Sequence, residues 1–116
     1  MAKVIALFPR QVFLGHSQGA SSNYYSEVYE VLEDAVLELE AIVFAINSTT
    51  TVKIDLETTA DPRLINWESR AFASLSTLTH ATGTFAGLLR YVRVILNITA
   101  NKLASVSVTG IARESS

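Results

Sequence analysis

The strongest constraint on the fold is the alternation of apolar and polar residues in the second half of the sequence. In "TVKIDLE", Val52, Ile54 and Leu56 point to one side of an extended chain, while the charged residues between them point to the other. The stretch "RYVRVILNIT" repeats this pattern, and both stretches are rich in β-branched residues, which favour strands. Each stretch is therefore predicted to be a strand with one face in a core and one face in water.

Turn signals separate these strands from further ones. The stretch "TTADPRLIN" contains an Asp-Pro pair that favours a turn, and Trp67 then opens a segment whose candidate core residues are Phe72 and Leu75. The two glycines of "HATGTFAGL" predict a loop, and "ANK" predicts a turn before a last strand in "ASVSVTGIAR". We expect the C-terminal half to consist of short antiparallel strands joined by hairpins and longer corners.

Residues 26–46 fit two different patterns. One set of apolar residues has nearly helical spacing: Val28, Leu32, Val36, Leu39 and Val43. A second set has the period of two that is typical of a strand: Leu37, Leu39, Ala41, Val43 and Ala45. Because the neighbouring segments are strands and a sheet needs partners, we expect two strands with a turn near Glu33 and Asp34. One long helix, capped by Ser26, is the alternative.

The start of the chain completes the count of strands. "KVIALF" and "QVFL" predict two short strands interrupted by Pro9, followed by a loop rich in glycine and serine. About eight strands in one compact domain predict an all-β fold, a two-sheet antiparallel β-sandwich with jelly-roll or Greek-key connections. We assign residues 1–25 to an N-terminal arm with a flexible loop and residues 26–116 to the sandwich. The arm either forms the first strand pair of its own sandwich, which we favour, or adds a strand to a neighbour's sheet.

Charge is distributed unevenly along the chain, although the net charge is only −2. Residues 27–61 carry nine carboxylates and one lysine, whereas residues 62–116 carry six cationic side chains and two carboxylates. Such a division suits an acidic face of one subunit that meets a basic face of the next, or two solvated faces of one monomer. No basic patch typical of nucleic-acid binding is evident, so no nucleic-acid partner is expected.

Other bulk properties narrow the setting. The absence of cysteine excludes disulfides and thiolate metal sites, and it suits a reducing cytoplasm or a particle assembled there. We expect no export signal, because Pro9 and Arg10 interrupt the first apolar run. No apolar stretch approaches the roughly 20 residues of a membrane span, so no membrane partner is expected.

The motif "GHSQG" at residues 15–19 matches the G-x-S-x-G turn that presents the nucleophile of α/β-hydrolases. Ser17, Asp55 or Asp61, and His80 even supply the triad in the chain order of those enzymes. However, the residues after Ser17 do not favour the helix that must follow such a turn, and the predicted strands do not alternate with helices. We therefore expect a hinge loop between arm and sandwich, and no enzyme.

Two other kinds of binding site can be drawn from the residue types. Asp55, Glu57 and Asp61 offer oxygen atoms to calcium, but the first two lie on the wet face of a strand and no EF-hand spacing is present. No metal or other cofactor is therefore expected. Aromatic residues raise the alternative of a carbohydrate-binding module for host adhesion, in which Trp67 and Tyr91 must be exposed on one face.

The C-terminal half also carries a combination of short motifs. A strand with tryptophan precedes a small polar segment, the strand "RYVRV" and a last strand that ends in G-x-x-R. These motifs fall at Trp67, Phe72, Leu75, Thr82, Gly83, Thr84, Arg90 to Val94, and Gly110 to Arg113. In this combination the chain resembles β-sandwich proteins encoded in the structural gene clusters of tailed phages.

The resemblance implies a virion component. The expected function is that of a non-enzymatic structural protein that decorates or cements a capsid, or binds a tail, and stabilises the particle. The implied partner is the major capsid protein or another virion protein, the location is the virion after assembly in the host cytoplasm, and the chain is expected to be a homo-oligomer, with a trimer favoured. Candidate interface residues lie in the arm and at charged positions: Phe8, Phe13, Leu14, Glu38, Glu40, Arg90 and Arg93.

Overall fold

The computed structural model describes residues 3–15, 21–32, 34–63, 66–99 and 102–113, and these ranges contain nine strands and no helix. In chain order the strands are β1 (Lys3–Leu14), β2 (Ser22–Tyr25), β3 (Tyr29–Glu30), β4 (Val36–Ile46), β5 (Val52–Thr59), β6 (Glu68–Leu75), β7 (His80–Phe85), β8 (Tyr91–Ile98) and β9 (Leu103–Arg113). The predicted all-β class is confirmed. None of the described segments is a helix that could cross a membrane.

The strands form two antiparallel sheets that pack face to face. Sheet A has the order β1-β9-β4-β7, and sheet B has the order β2-β8-β5-β6, with β3 also paired to β8. Among the described strands, only β5 and β6 are neighbours both in sequence and in a sheet. The other connections pass between sheets or between the two strands that share β8, so corners dominate over hairpins. The predicted two-sheet antiparallel sandwich is confirmed.

The core lies between the two sheets. In β8, the alternation recognised in the sequence places Val92, Val94 and Leu96 inward, where they are fully buried. The largest fully buried side chains come from both sheets and from the segment before β8: Ile5, Leu37, Leu39, Ile54, Leu56, Leu88, Leu96 and Ile98. Each such side chain contributes about 1.5–3 kcal/mol through its removal from water.

Residues 26–46 contain strands rather than a helix. Leu37 and Leu39 face the core at alternate positions of β4, as the period of two predicts. The preceding turn contains Asp34, whose φ is 63° and whose amide donates a hydrogen bond of 3.0 Å to a carbonyl in the β7–β8 connection. Glu33, the other residue of the predicted turn, lies outside the described residues. The prediction of two strands over a helix is confirmed.

The predicted loop "HATGTFAGL" is wrong for its first six residues, which form β7 at the edge of sheet A. Gly83 pairs with Leu39 of β4, and the ring of Phe72 from sheet B lies only 3.0 Å from where a Cβ of Gly83 would stand. Glycine in a strand often marks such a close approach rather than a loop. Gly87, with a φ of 65°, belongs to the turn that follows.

Strand β1 pairs antiparallel with β9 of the same chain along most of its length. Two tyrosine hydroxyl groups from sheet B also donate hydrogen bonds to the backbone of β1. Tyr24 donates to the carbonyl of Leu14 at 2.6 Å, and Tyr29 donates to the carbonyl of Ala6 at 2.9 Å. In this structure β1 is therefore a strand of its own sandwich, whereas the boundary between arm and sandwich at residue 25 stays a prediction.

Candidate interaction surfaces

Each sheet has one face in the core and one face towards solvent, and the two solvent faces differ in chemistry. The solvent face of sheet B, termed outer face B, carries mostly charged, polar and aromatic side chains. The solvent face of sheet A, termed outer face A, is more apolar. Six of the ten exposed large hydrophobic residues in the described structure lie on β1, β4 and β9, which belong to sheet A.

On outer face B, the guanidinium group of Arg93 lies between two aromatic rings. Its central carbon is 4.2 Å from the ring centroid of Trp67 and 4.7 Å from that of Tyr25. Its Nε donates a hydrogen bond of 2.7 Å to Oε1 of Glu57, and the Arg93 and Glu57 side chains are only 24% and 12% exposed. These four residues, the Arg93 stack, combine a charge-assisted hydrogen bond with cation–π contacts.

Trp67 and Tyr91, the two rings that must be exposed in the carbohydrate-binding alternative, are both half-buried. Arg93 covers one face of the Trp67 ring, and the guanidinium carbon of Arg90 is 5.9 Å from the Tyr91 centroid. A sugar that stacks on Trp67 must therefore use the ring face that Arg93 leaves open, or displace the guanidinium. The residue that sequence reasoning missed here is Tyr25, which reaches Arg93 because β2 pairs with β8.

Outer face A carries a row of exposed apolar side chains along two paired strands. Val4, Val12 and Leu14 project from β1, and Leu103 and Ile111 project from β9. Val4 is 76% exposed and pairs with Ile111, while Leu14 is 54% exposed and pairs with Leu103. We term these five residues the apolar stripe. Exposed apolar side chains grouped in this way mark a site of contact with another protein or ligand.

A depression of about 750 Å³ lies at one end of outer face A. Among the residues that line it, Glu40 of β4 pairs with Thr82 of β7 on one side and with Thr109 of β9 on the other. Val4 and Ile111 of the apolar stripe also line it. The depression thus offers the carboxylates of Glu38 and Glu40, the hydroxyl groups of Thr82, Thr84 and Thr109, and an apolar rim.

A projection lies near the other end of outer face A. Phe44 occupies a bulge in β4 and is 36% exposed, and the guanidinium carbon of Arg10 lies 4.1 Å from its ring centroid. Arg10 reaches Phe44 from β1, so its side chain crosses β9 above Ser105 and Ser107, each only 9% exposed. We term Arg10 and Phe44 the knob. Sequence reasoning missed it because it depends on irregularities in both β1 and β4.

The predicted aromatic interface residues of the arm lie inside the molecule. Phe8 and Phe13 are 4% and 3% exposed, and their rings meet edge to face at a centroid distance of 5.1 Å. Phe13 makes a second edge contact, also at 5.1 Å, with Tyr24. Leu14, by contrast, is exposed on the apolar stripe. Of these three candidates, Leu14 alone presents its side chain to a partner of the folded chain.

The predicted charged candidates mostly have partners within the chain. Besides the Asp61–Arg63 pair, three ion pairs of the described residues join the acidic residues 27–61 to the basic residues 62–116. They are Arg90–Glu30, Arg93–Glu57 and Arg113–Glu38, with N···O distances of 2.6, 2.7 and 2.9 Å. Much of the uneven charge is thus neutralised between neighbouring strands. Glu40 differs, because it is exposed and forms no ion pair with any residue that the structure describes.

The predicted Asp-Pro turn is held by a local ion pair. Oδ2 of Asp61 accepts a hydrogen bond of 2.8 Å from Nη2 of Arg63, and Oδ1 accepts two of 3.0 Å from the Nε and the backbone amide of Arg63. The side-chain hydrogen bonds, followed by the backbone one, lower the pKa of the Asp61 carboxyl to about 2. The Arg63 side chain is 87% exposed, so this pair orders the turn but adds little to global stability.

The residues of the hydrolase and metal interpretations do not come together where the structure describes them. Ser17 and its neighbours at residues 16–19 lie outside the described residues. Asp55 projects from β5 of sheet B and His80 begins β7 of sheet A, so the two side chains lie on opposite sheets. Across the described ranges, no three or more histidine, aspartate or glutamate side chains form a group that could hold a metal ion.

No protein-family model matches the sequence, and no curated protein matches it. Solved structures do match in fold. A chain from the structure of infectious bursal disease virus, Gx strain, aligns over 97% of this chain with a TM-score of 0.72 and 9% identity. The VP2 subviral particle of that virus aligns over 97% of this chain with a TM-score of 0.66 and 10% identity. Xylanase 10B of Clostridium thermocellum aligns over 98% of this chain with a TM-score of 0.53 and 13% identity. That structure contains the CBM22-1 and GH10 modules complexed with xylohexaose.

These neighbours are larger proteins than this chain. The alignments cover 32% of each viral chain and 26% of the xylanase chain. The viral neighbours are capsid proteins with a β-sandwich fold, and none of the three structures is of a tailed-phage protein. At these identities the likeness is one of fold. The chain is thus an antiparallel β-sandwich of a kind that also occurs in viral capsid proteins.

Proposed function

We propose that the chain is a non-enzymatic structural protein of a virus particle, a decoration or cement protein that binds the capsid or another virion protein as a homo-oligomer. The observation that carries the proposal is the apolar stripe on outer face A. Val4 is exposed beside Ile111, and Val12 and Leu14 are exposed near Leu103, although the chain has a well-filled core elsewhere. Burial of such a row against another protein is favourable by roughly 25 cal/mol for each Å² removed from water.

Two further observations support a structural role. The ionisable side chains of Arg90, Arg93 and Arg113 pair with carboxylates of neighbouring strands instead of gathering in one cleft. The β-sandwich also resembles domains of viral capsid proteins in its fold. Because one fold serves many functions, this likeness adds to the argument from the surface and does not replace it.

The test is co-sedimentation of the purified protein with empty shells assembled from the major capsid protein of the same virus. We expect saturable binding at a fixed ratio of this chain to the shell protein, and shells that resist a higher temperature. Val12→Asp, which places a charge in the apolar stripe, should weaken binding at least about tenfold, since a buried unpaired charge is costly. Lys53→Glu, on outer face B, is the matched control and should bind like the wild type.

A wild-type protein that stays monomeric in light scattering and leaves the shells unbound would contradict the proposed function. Binding that Val12→Asp leaves intact would contradict the use of the apolar stripe.

A carbohydrate-binding module is the second candidate, and the Arg93 stack favours it. Trp67 is half-buried beside Arg93 on outer face B, and a partly exposed tryptophan ring suits stacking on a sugar. Titration calorimetry with xylohexaose and other oligosaccharides tests it. The candidate requires binding that Trp67→Ala abolishes while the melting temperature stays within a few degrees. No heat of binding with any of these sugars would overturn it.

A further inference from the structure

We propose that two copies of the chain pack through outer face A about a twofold axis near Ser107, with the knob of each copy in the depression of the other. The inference rests on the proposed homo-oligomer and assigns its contact surface. A twofold contact requires that one surface be complementary to itself after rotation. Outer face A meets this requirement in register, shape and charge.

The register of β1 and β9 places apolar pairs at equal distances from Ser107. Ile111 and Leu103 lie four positions on either side of Ser107, and they pair with Val4 and Leu14 respectively. A copy rotated about an axis that crosses the strands at Ser107 runs antiparallel to the first. Its Leu14 and Leu103 then lie over Val4 and Ile111, so the apolar stripe covers itself.

The same rotation matches the two ends of outer face A in shape. The knob lies on one side of Ser107, because Phe44 follows Val43, the partner of Val106, and precedes Ala45, the partner of Ser105. The depression lies on the other side, where it is lined by Glu38 and Glu40 of β4 and by Thr109 and Ile111 of β9. Rotation about Ser107 exchanges these two positions. Each knob therefore enters the depression of the facing copy.

Charge completes the match between knob and depression. The Arg10 guanidinium lies over Phe44, and it forms no ion pair with any residue in the described part of the chain. The Glu40 carboxylate in the depression is the complementary group that also lacks such a pair there. In the rotated arrangement Arg10 of each copy faces Glu40 of the other, which gives two equivalent ion pairs across the axis.

The surface is large enough for a specific contact. The three long strands β1, β9 and β4 lie about 4.8 Å apart and rise about 3.3 Å per residue, so they cover about 500 Å² per copy. Together the two copies bury about 1,000 Å², which is near the lower limit for a stable protein interface.

The experiment is sedimentation velocity over a concentration series on the variants Arg10→Glu and Glu40→Arg, alone and mixed. Each variant alone puts like charges at both contacts, and we expect its dimerisation to weaken at least about tenfold relative to the wild type. In an equal mixture, the new Glu at position 10 meets the new Arg at position 40, and the native Glu40 meets the native Arg10. Both contacts are then complementary, so the mixture should regain dimers. Lys53→Glu on outer face B should dimerise like the wild type.

Three results would overturn the inference. The first is dimerisation that neither single variant weakens. The second is a mixture that stays as monomeric as its components while both variants melt like the wild type. The third is a wild type that forms only trimers, since a twofold contact closes at two copies. The first and third leave the proposed function standing, because the protein still self-associates. A wild type that stays monomeric and leaves the shells unbound instead contradicts the proposed function, whatever the charge variants do.

Discussion

At the scale of single residues, two fully buried threonines differ in whether their hydroxyl groups have hydrogen-bond partners. The Thr58 hydroxyl, fully buried, donates to the Tyr91 carbonyl at 2.9 Å and accepts from the Leu89 amide at 3.0 Å. The Thr50 hydroxyl is also fully buried, and it has no hydrogen-bond partner among the described residues. An unpartnered buried hydroxyl keeps the cost of its lost hydration.

Replacement of the two threonines by valine should therefore change stability in opposite directions. Thr50→Val removes an unpartnered hydroxyl while it keeps the branched shape, and we expect it to stabilise the fold by about 1 kcal/mol. Thr58→Val leaves the Leu89 amide unpartnered and should destabilise by about 1–3 kcal/mol. Urea unfolding measures both. Destabilisation by Thr50→Val of similar size to Thr58→Val would show that the Thr50 hydroxyl has a partner.

The Arg93 stack should be more strongly coupled than an exposed ion pair. Glu57 and Arg93 are mostly shielded from water and packed by aromatic rings, so their attraction is less screened than that of Asp61 and Arg63. A double-mutant cycle with Glu57→Gln and Arg93→Met should give a coupling of about 1–2 kcal/mol. The same cycle on Asp61 and Arg63 should give a smaller value. Equal couplings would contradict the role assigned to the two rings.

At the scale of elements, glycines and bulges decide what alternation alone leaves open. In β9, Gly110 faces Leu37 and Leu39 of β4, whose methyl groups stand 3.0 and 3.1 Å from where a Cβ would be. Both leucines are buried in the core and cannot turn aside freely. The packing of β9 in sheet A therefore requires a residue without a side chain at position 110. The packing of β7 has the same requirement at position 83.

Gly110→Ala should destabilise the protein by about 1–3 kcal/mol, because the added methyl group overpacks the core. Thr109→Ala, one position along β9 and exposed on outer face A, is the matched control and should change stability by less than about 0.5 kcal/mol. Thermal unfolding followed by circular dichroism compares the two. A Gly110→Ala protein as stable as the control would mean that β4 and β9 are less tightly packed than described.

Much of the fold follows from residue patterns, and the parts that do not follow have physical causes. Alternation in β5, β8 and β9 predicts the strands and their inward faces, because side chains on a strand point to opposite sides at every step. The same rule decides residues 26–46 correctly. It fails at β7, because Gly83 signals a close approach of Phe72 rather than a loop.

The contact surface is harder to predict than the strands. Leu14 and Glu40, named from sequence, do lie exposed on outer face A. Phe8 and Phe13 do not, since sequence alone does not reveal that the arm folds back on β9 and buries them. The pairing of Arg10 with Phe44 depends on irregularities in two separate strands, and a periodic pattern does not contain them.

At the scale of the whole molecule, the two solvent faces differ in how far their side chains are paired within the chain. Outer face B is closed by its own ion pairs and by the Arg93 stack, so its polar groups are largely satisfied without a partner. Outer face A combines the apolar stripe, the depression and the knob. A β-sandwich with one face whose polar groups are paired within the chain and one face that exposes apolar side chains is suited to be a subunit of a larger assembly.

A cryo-electron microscopy reconstruction of empty shells decorated with the protein tests the central claim most directly. We expect outer face A of each bound copy to be covered by a second copy of the chain, with Val12 and Leu14 inside that contact. A reconstruction in which the protein is bound while Val12 and Leu14 face open solvent would contradict the account.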